Sequence, residues 1–338
     1  MHDVQPGPAR FDPTIRAWIL SRHADVGMAL REPCLAAGDS LDGPPAHIAV
    51  REAIAHSLSA DRLAGMRAGL ERSAHDLAAS LPPDRPVDLV TSFGGPWSLS
   101  LAVTITGASS NDAEGLSRLA REVFLGAAFA TDAGTREDAK EAAAELARRL
   151  PGAATTSNVQ AFVALSQTLP HTLASAWLAL FRSPAAAQGL RAEPDLMPRA
   201  VEELLRRSGP SRALFRHAVE DVGIGGVRIR GGDRVVLMLG AANRDPARFA
   251  DPDRVDFHRN AGEHLAFGGG AHSCAGARLI RVAVAVATGA LLRTTDAVEL
   301  TGPVEWINGF AIRAPASLRA LLRRTPRALQ VHGVSGAG

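Results

Sequence analysis

The sequence predicts a mainly α-helical chain with small β-sheets, an α+β protein, on three observations. Apolar residues recur at helical spacing over most of residues 60–207, and prolines and glycines punctuate them. Beyond that the pattern changes to short strand-like runs between glycine turns such as Gly231-Gly232-Asp233. A glycine run at residues 268–270 then leads into one more long apolar helix. No internal repeat or linker divides the chain, so residues 1–325 read as a single domain and residues 326–338 as a flexible tail.

Taken in order, residues 24–31 form a short helix. Residues 46–56 follow the Pro44-Pro45 pair, where proline suits a helix start. Residues 60–80 form a longer helix that stops before Pro82-Pro83. Helices over 98–106, 116–129 and 136–150 follow, and Pro151-Gly152 ends the series. A long apolar helix spans 159–182, and another spans 197–207. Strands are predicted at 211–219, 226–229 and 234–239. Residues 243–273 are loop-rich. The last helix, 276–292, precedes strands at 297–300 and 310–313.

The composition excludes several functions. Of 338 residues, 46% are hydrophobic and 21% charged, which argues against whole-chain disorder. The formal net charge is only +2, so nucleic-acid binding has no support. There is no tyrosine to act as acid, base or radical carrier. Two cysteines, Cys34 and Cys274, exclude a disulfide scaffold. The polar start of the chain resembles neither a signal peptide nor a membrane anchor. The most apolar stretch, residues 162–181, carries Ser166, Gln167, Thr168, Pro170, His171, Thr172 and Ser175, too many polar groups for a membrane span. A cytoplasmic location is expected.

The densest chemical signal is Phe267-Gly268-Gly269-Gly270-Ala271-His272-Ser273-Cys274-Ala275-Gly276. A lone cysteine follows a flexible glycine run and directly precedes a helix. Glycines let the backbone bend around a sulfur, and a helix start favours the thiolate. A single thiolate with an open opposite side is how haem iron is held in oxygen-activating enzymes. Taken alone, the same cysteine also reads as an inert residue in a turn.

The wider pattern decides between these. The segment resembles the haem-binding signature of the cytochrome P450 family, Phe-Gly-x-Gly-x-His-x-Cys-x-Gly, with Phe267, Gly268, Gly270, His272, Cys274 and Gly276 in place. Glu203-Leu204-Leu205-Arg206 resembles the family's Glu-x-x-Arg pair, and Pro252-Asp253-Arg254 the segment that adds a second arginine. Ala241-Ala242-Asn243-Arg244-Asp245 resembles the loop before it, and His47-Ile48-Ala49-Val50-Arg51 the His-x-x-x-Arg helix that holds haem propionates. The resemblance covers roughly residues 17 to 315. It implies a P450-like haem-thiolate fold and haem b with Cys274 as axial ligand. It further implies His47, Arg51, Arg216 and His264, with His272, as partners of the propionates. Glu203, Arg206 and Arg254 would form a buried ion cluster bracing the cysteine loop.

The long helix departs from the family pattern. Counting back from Pro184, a small-residue pair, an acid and a threonine fall on Ala164-Leu165-Ser166-Gln167-Thr168. Thr168 is present, but Gln167 replaces the acid and Leu165 a glycine. Glutamine cannot exchange a proton near neutral pH, though it can orient water. Gln167 is therefore expected to mark rerouted proton delivery. Pro170 has no N–H, so the carbonyl of Ser166 loses its helical partner and a kink should open beside Thr168. His171, one turn beyond, is a candidate relay.

The resemblance implies an oxidoreductase that monooxygenates a hydrophobic organic molecule, such as a natural-product intermediate, with electrons from a ferredoxin and its reductase. Substrate would meet Ala164, Leu165, His171, Leu214, Phe215 and Phe310, and could be tethered to a carrier protein. Arg278 and Arg281 are candidates to face an acidic ferredoxin. Alternatives are a peroxide-driven, coupling or rearranging enzyme, and a haem binder without catalysis. Gly38-Asp39-Ser40-Leu41 spells a serine-hydrolase motif, but no histidine has an Asp three residues before it to activate the serine. The chain is short for the family before residue 18 and between residues 150 and 159. The expectation is an N-terminally shortened fold with a reduced lid region, whose distal pocket is open or closed by a partner or second copy (a homodimer).

Overall fold

The computed structural model describes residues 4–37, 59–83, 85–129, 132–151 and 156–324. The predicted helix at 46–56, with His47 and Arg51, and the Ser40 motif lie outside these.

The helical half packs around Leu169–Phe181. Its sequence is apolar on every face, and all its residues except His171 and Ala179 are buried. Trp177 stacks on Phe93 at 5.3 Å, and its indole N–H donates to Thr288 in the buried helix Ala277–Thr294. Around this core stand Ala60–Ser80, Gly95–Thr106, Ala113–Ala128, Ala133–Arg149 and Met197–Ser208. Pro184–Ala192 is a further helix that the sequence reading missed. Its alanines and glycine give weak periodicity, and the proline that reads as a stop sits in its first turn.

The strands in chain order are β1 (Arg10–Asp12), β2 (Ala17–Leu20), β3 (Leu35–Ala37), β4 (Val87–Asp88), β5 (Leu214–Ala218) and β6 (Val222–Ile224). They continue with β7 (Val227–Ile229), β8 (Arg234–Leu237), β9 (Ala297–Leu300), β10 (Glu305–Asn308), β11 (Arg313–Ser317) and β12 (Arg319–Arg323). One five-stranded sheet runs β1-β2-β8-β5-β3, and β4-β12-β9 form a smaller one. The N-terminal strands are not predicted from sequence, being only three or four residues long, and β2 and β3 gain partners in β8 and β5, far along the chain, with β1 added at the edge of β2. The strand predicted at 310–313 is displaced, since β11 begins at Arg313.

Strand alternation gives the main sheet two faces. One packs Leu214 and Ala218 with Leu20, Leu30, Leu237 and Leu265. The other packs Phe215 with Ile19, Val236 and Phe310. Among the described residues no helix is long and apolar enough to cross a membrane.

Candidate active site

Glu203 and Arg206 lie one turn apart on Met197–Ser208 and are both almost wholly buried. The guanidinium meets both carboxylate oxygens at 2.7 and 2.8 Å, and also donates to the carbonyls of Asn243 and Pro252. The third cation is not Arg254, which is exposed. Arg259 donates to Glu203 at 3.2 Å from a nearly buried position, joined by the backbone N–H of Asp256. The motif match was therefore five residues early. Only a side chain returning from beyond the turn reaches the remaining lone pairs of Glu203.

That cluster braces the loop to Cys274. Arg206 holds the Asn243 carbonyl, and the Asn243 side chain accepts the N–H of Leu265 at 2.6 Å. The chain then turns through Gly268 and Gly270, at φ +68° and +65°, a region costly for other residues. A Cβ on Gly270 would also overlap the carbonyl oxygen of Leu30. The Phe267 carbonyl accepts the N–H of Cys274 at 2.8 Å, which closes the loop. Gly276 lies beside the sulfur: a Cβ there would stand 3.9 Å from it, in ordinary contact.

The two cysteines have different fates. The Cys34 thiol donates to Glu220 at 2.7 Å, and Glu220 and Glu32 push its pKa up to about 12, so it stays a thiol. Cys274 is exposed at the end of its loop. Among the described residues no group of three His, Cys, Asp or Glu side chains could hold a metal ion.

Arg216, on β5, shares its sheet face with Leu214, and a Cβ on Gly268 would touch the Leu214 side chain. It is buried, and burial pulls its pKa down. Its hydrogen bond is to the carbonyl of its neighbour Phe215, and no described carboxylate pairs with it. A buried cation with no counterion among the described residues is a fitting partner for an anionic group. His264 does not share this role. Its ring is spent inside the protein, accepting the N–H of Ala266 at Nδ1 and facing Glu202 with Nε2. His272 is exposed in the short turn before Cys274, and Phe267 is half-buried.

Where the kink is expected, the α-helical hydrogen-bond pattern is interrupted. Residues Ala164–Thr168 form a π-helical turn, closed by the N–H of Leu169 on the Ala164 carbonyl, directly before Pro170. Ala164, like Gln160 one turn before it, is exposed, and Thr168, one turn on, is half-buried. Leu165 is instead buried in the core, so it leaves the predicted pocket set. Gln167 is also buried, and its amide N–H2 donates to both the carbonyl and the hydroxyl of Ser117 at 3.0 Å. His171 donates from Nδ1 to the Pro315 carbonyl and stacks on Phe124. Burial lowers its pKa, which keeps it neutral and ties it to β11 instead of leaving it free as a relay. Phe215 and Phe310 stack on each other across the sheet from Leu214, so they leave the predicted pocket set. A cavity of about 970 Å³ lies elsewhere, beside Arg182, Arg207 and Trp306, and includes neither Thr168 nor Cys274.

Comparison with known proteins bears on this arrangement. The sequence profile described as Cytochrome P450 matches residues 162–301, which span the interrupted helix, the ion cluster and the cysteine loop. The mycinamicin IV hydroxylase/epoxidase of Micromonospora griseorubida is 31% identical over 89% of this chain and 88% of its own. The chain belongs to the cytochrome P450 family. Cytochrome P450 107B1 of Saccharopolyspora erythraea is 30% identical over 82% of this chain and 81% of its own. The fold agrees: P450BioI, solved in complex with a fatty-acyl-ligated acyl carrier protein, superposes with a TM-score of 0.86 at 23% identity, over 94% of both chains.

The cofactor of a P450 is a haem iron held by a cysteine thiolate. The residues present fit it. Cys274 is an exposed residue on a loop closed by its own backbone bonds, and Arg216 is a buried cation that meets no carboxylate among the described residues, which suits a propionate.

Proposed function

We propose that this P450 monooxygenase oxidises a hydrophobic organic small molecule of the natural-product type, bound between the Ala164–Thr168 turn and the cysteine loop. The observation that supports this is the π turn Ala164–Thr168, which sets exposed Ala164 and half-buried Thr168 one turn apart where the α-helical ladder is interrupted. The thiolate-ligated haem supplies oxygen-activating chemistry when bound, and the chain supplies the positions. Cys274 is the ligand, and Arg216, with His47, Arg51 and His272, meets the propionates. The Thr168 hydroxyl orients water and hands on protons. Gln167 holds the helix to Ala113–Ala128 and carries no proton, because its amide is committed to Ser117. Leu214 and Ala164 give substrate apolar contact. Electrons come from a ferredoxin with its reductase. Arg281 is tied to Glu202, so Arg278, exposed on the same helix, is the cation that faces this donor. A carrier-protein-tethered substrate fits the same reading, as the acyl-carrier complex of P450BioI illustrates for that protein.

A peroxide-driven reaction is the second reading, favoured by the engagement of Gln167 where an acid usually stands. One experiment separates the two. In Thr168→Ala, product formed per NAD(P)H falls about 10- to 100-fold if protons pass through this hydroxyl. Equal product formation in wild type and variant with NAD(P)H, alongside faster turnover with peroxide, establishes the second reading.

A further inference from the structure

Helix Met197–Ser208 turns two consecutive carboxylates to different tasks. Glu203 belongs to the buried ion cluster. Glu202 instead accepts two hydrogen bonds from Arg281, at 2.6 and 2.9 Å, and lies 3.4 Å from Nε2 of His264. The His264 side chain is only 1% exposed. Its Nδ1 accepts the N–H of Ala266 at 3.1 Å, so the ring's single proton sits on Nε2 and points at Glu202. Among the described residues Nε2 has no hydrogen-bond partner at ordinary distance, which leaves Glu202 as its one acidic neighbour.

Both partners of Glu202 reach Phe267. The Arg281 guanidinium lies 4.6 Å over the Phe267 ring, and the His264 ring is 5.6 Å from it. The Phe267 carbonyl accepts the Cys274 N–H. We infer that Glu202 is a positioning residue for the thiolate, fixing the cysteine loop through His264 and Arg281. This rests on the reading of Cys274 as the haem ligand. An exposed ion pair would contribute little. Here a carboxylate gripped at both oxygens by Arg281 also faces a buried imidazole, and its loss removes the acidic neighbour of that imidazole while freeing the cation that covers Phe267.

The test uses haem-loaded protein and the absorption of its reduced carbonyl complex. A wild-type protein without the thiolate-type band would overturn the reading of Cys274 itself. With that band present, Glu202→Gln is expected to convert it to the thiol-type band about tenfold faster on mild warming, which is about 1.4 kcal/mol by RT ln 10. Its reduction potential should also move. Adding His264→Phe should accelerate the conversion no further, since both changes break one unit. Wild-type conversion and potential in Glu202→Gln, even at a lower unfolding temperature, would mean that the residue is merely structural and overturn the inference. If Glu202→Gln does not fold, Arg281→Lys takes its place. It should convert about threefold faster, and a wild-type rate there would equally overturn the inference.

Discussion

The loop that presents Cys274 and the helix that faces it are built by opposite rules. On the loop side, support is layered: a buried carboxylate with two arginines, an asparagine on the Leu265 N–H, and two glycines at positive φ. On the helix side, order is locally interrupted. The α-helical ladder gives way to a π turn, proline removes a donor, and glutamine is anchored to a neighbouring helix. The loop has one task, to hold a sulfur still, and any slack there costs function. On the proposed function the helix admits substrate, water and protons, and its irregularity is where chemistry can be adjusted without unfolding the site.

The strongest way to break the comparison is at the sulfur. Cys274→Ala should abolish the thiolate-type carbonyl band outright while Cys34→Ala leaves it intact. Persistence of the band in Cys274→Ala would remove the loop from the site. Next comes the brace. Glu203→Gln strands Arg206 and Arg259 and should cost about 3–5 kcal/mol in urea unfolding, whereas exposed Arg254→Ala should stay within about 0.5 kcal/mol. Equal losses would restore Arg254 to the cluster.

The helix side should respond more gently. Gln167→Glu turns a carboxylate toward the Ser117 carbonyl, which a glutamine answers with N–H, and should cost about 1–3 kcal/mol without improving coupling to NAD(P)H. A stable variant with better coupling would make Gln167 a weakened proton carrier instead of an anchor.

The smallest effect concerns acid. Burial raises the Glu202 carboxyl, but His264 and Arg281 outweigh it and hold it down to about 2, against an ordinary 4.5. A depressed carboxyl contributes stability above its unfolded value, and this is lost as pH falls from about 4.5 toward 2. Solvent reaches the group, so the loss is on the order of 1 kcal/mol or less. Glu202→Gln should flatten that acid limb in a pH series of unfolding midpoints, and an unaltered limb would place the lowered carboxyl elsewhere.

The same contrast explains what was readable from sequence. The loop is legible because its demands fall on residue types: cysteine for the metal, glycine for positive φ, a Glu-x-x-Arg pair one turn apart. The helix interruption was legible for the same reason, since proline's missing donor is a local fact. Facing was not. Phe215 and Leu214 are equally apolar neighbours, and only strand alternation within an assembled sheet sends them to opposite faces. Arg259 and Arg254 are likewise equal as letters, and the turn between them chooses. His264 matched a motif, yet its assignment needed Glu202 and Arg281, which come from two different helices.

Gly270 carries a consequence for how the molecule is made. The absence of its side chain lets the cysteine loop rest on the backbone of Leu30 and Arg31, at the other end of the chain. Helix Ala277–Thr294 in turn packs on Ala60–Ser80. During synthesis the first of these segments therefore waits for the last, and loop closure over such separations is slow. The setting of the Cys274 sulfur thus depends on contacts made across nearly the whole described sequence and not on its own loop alone.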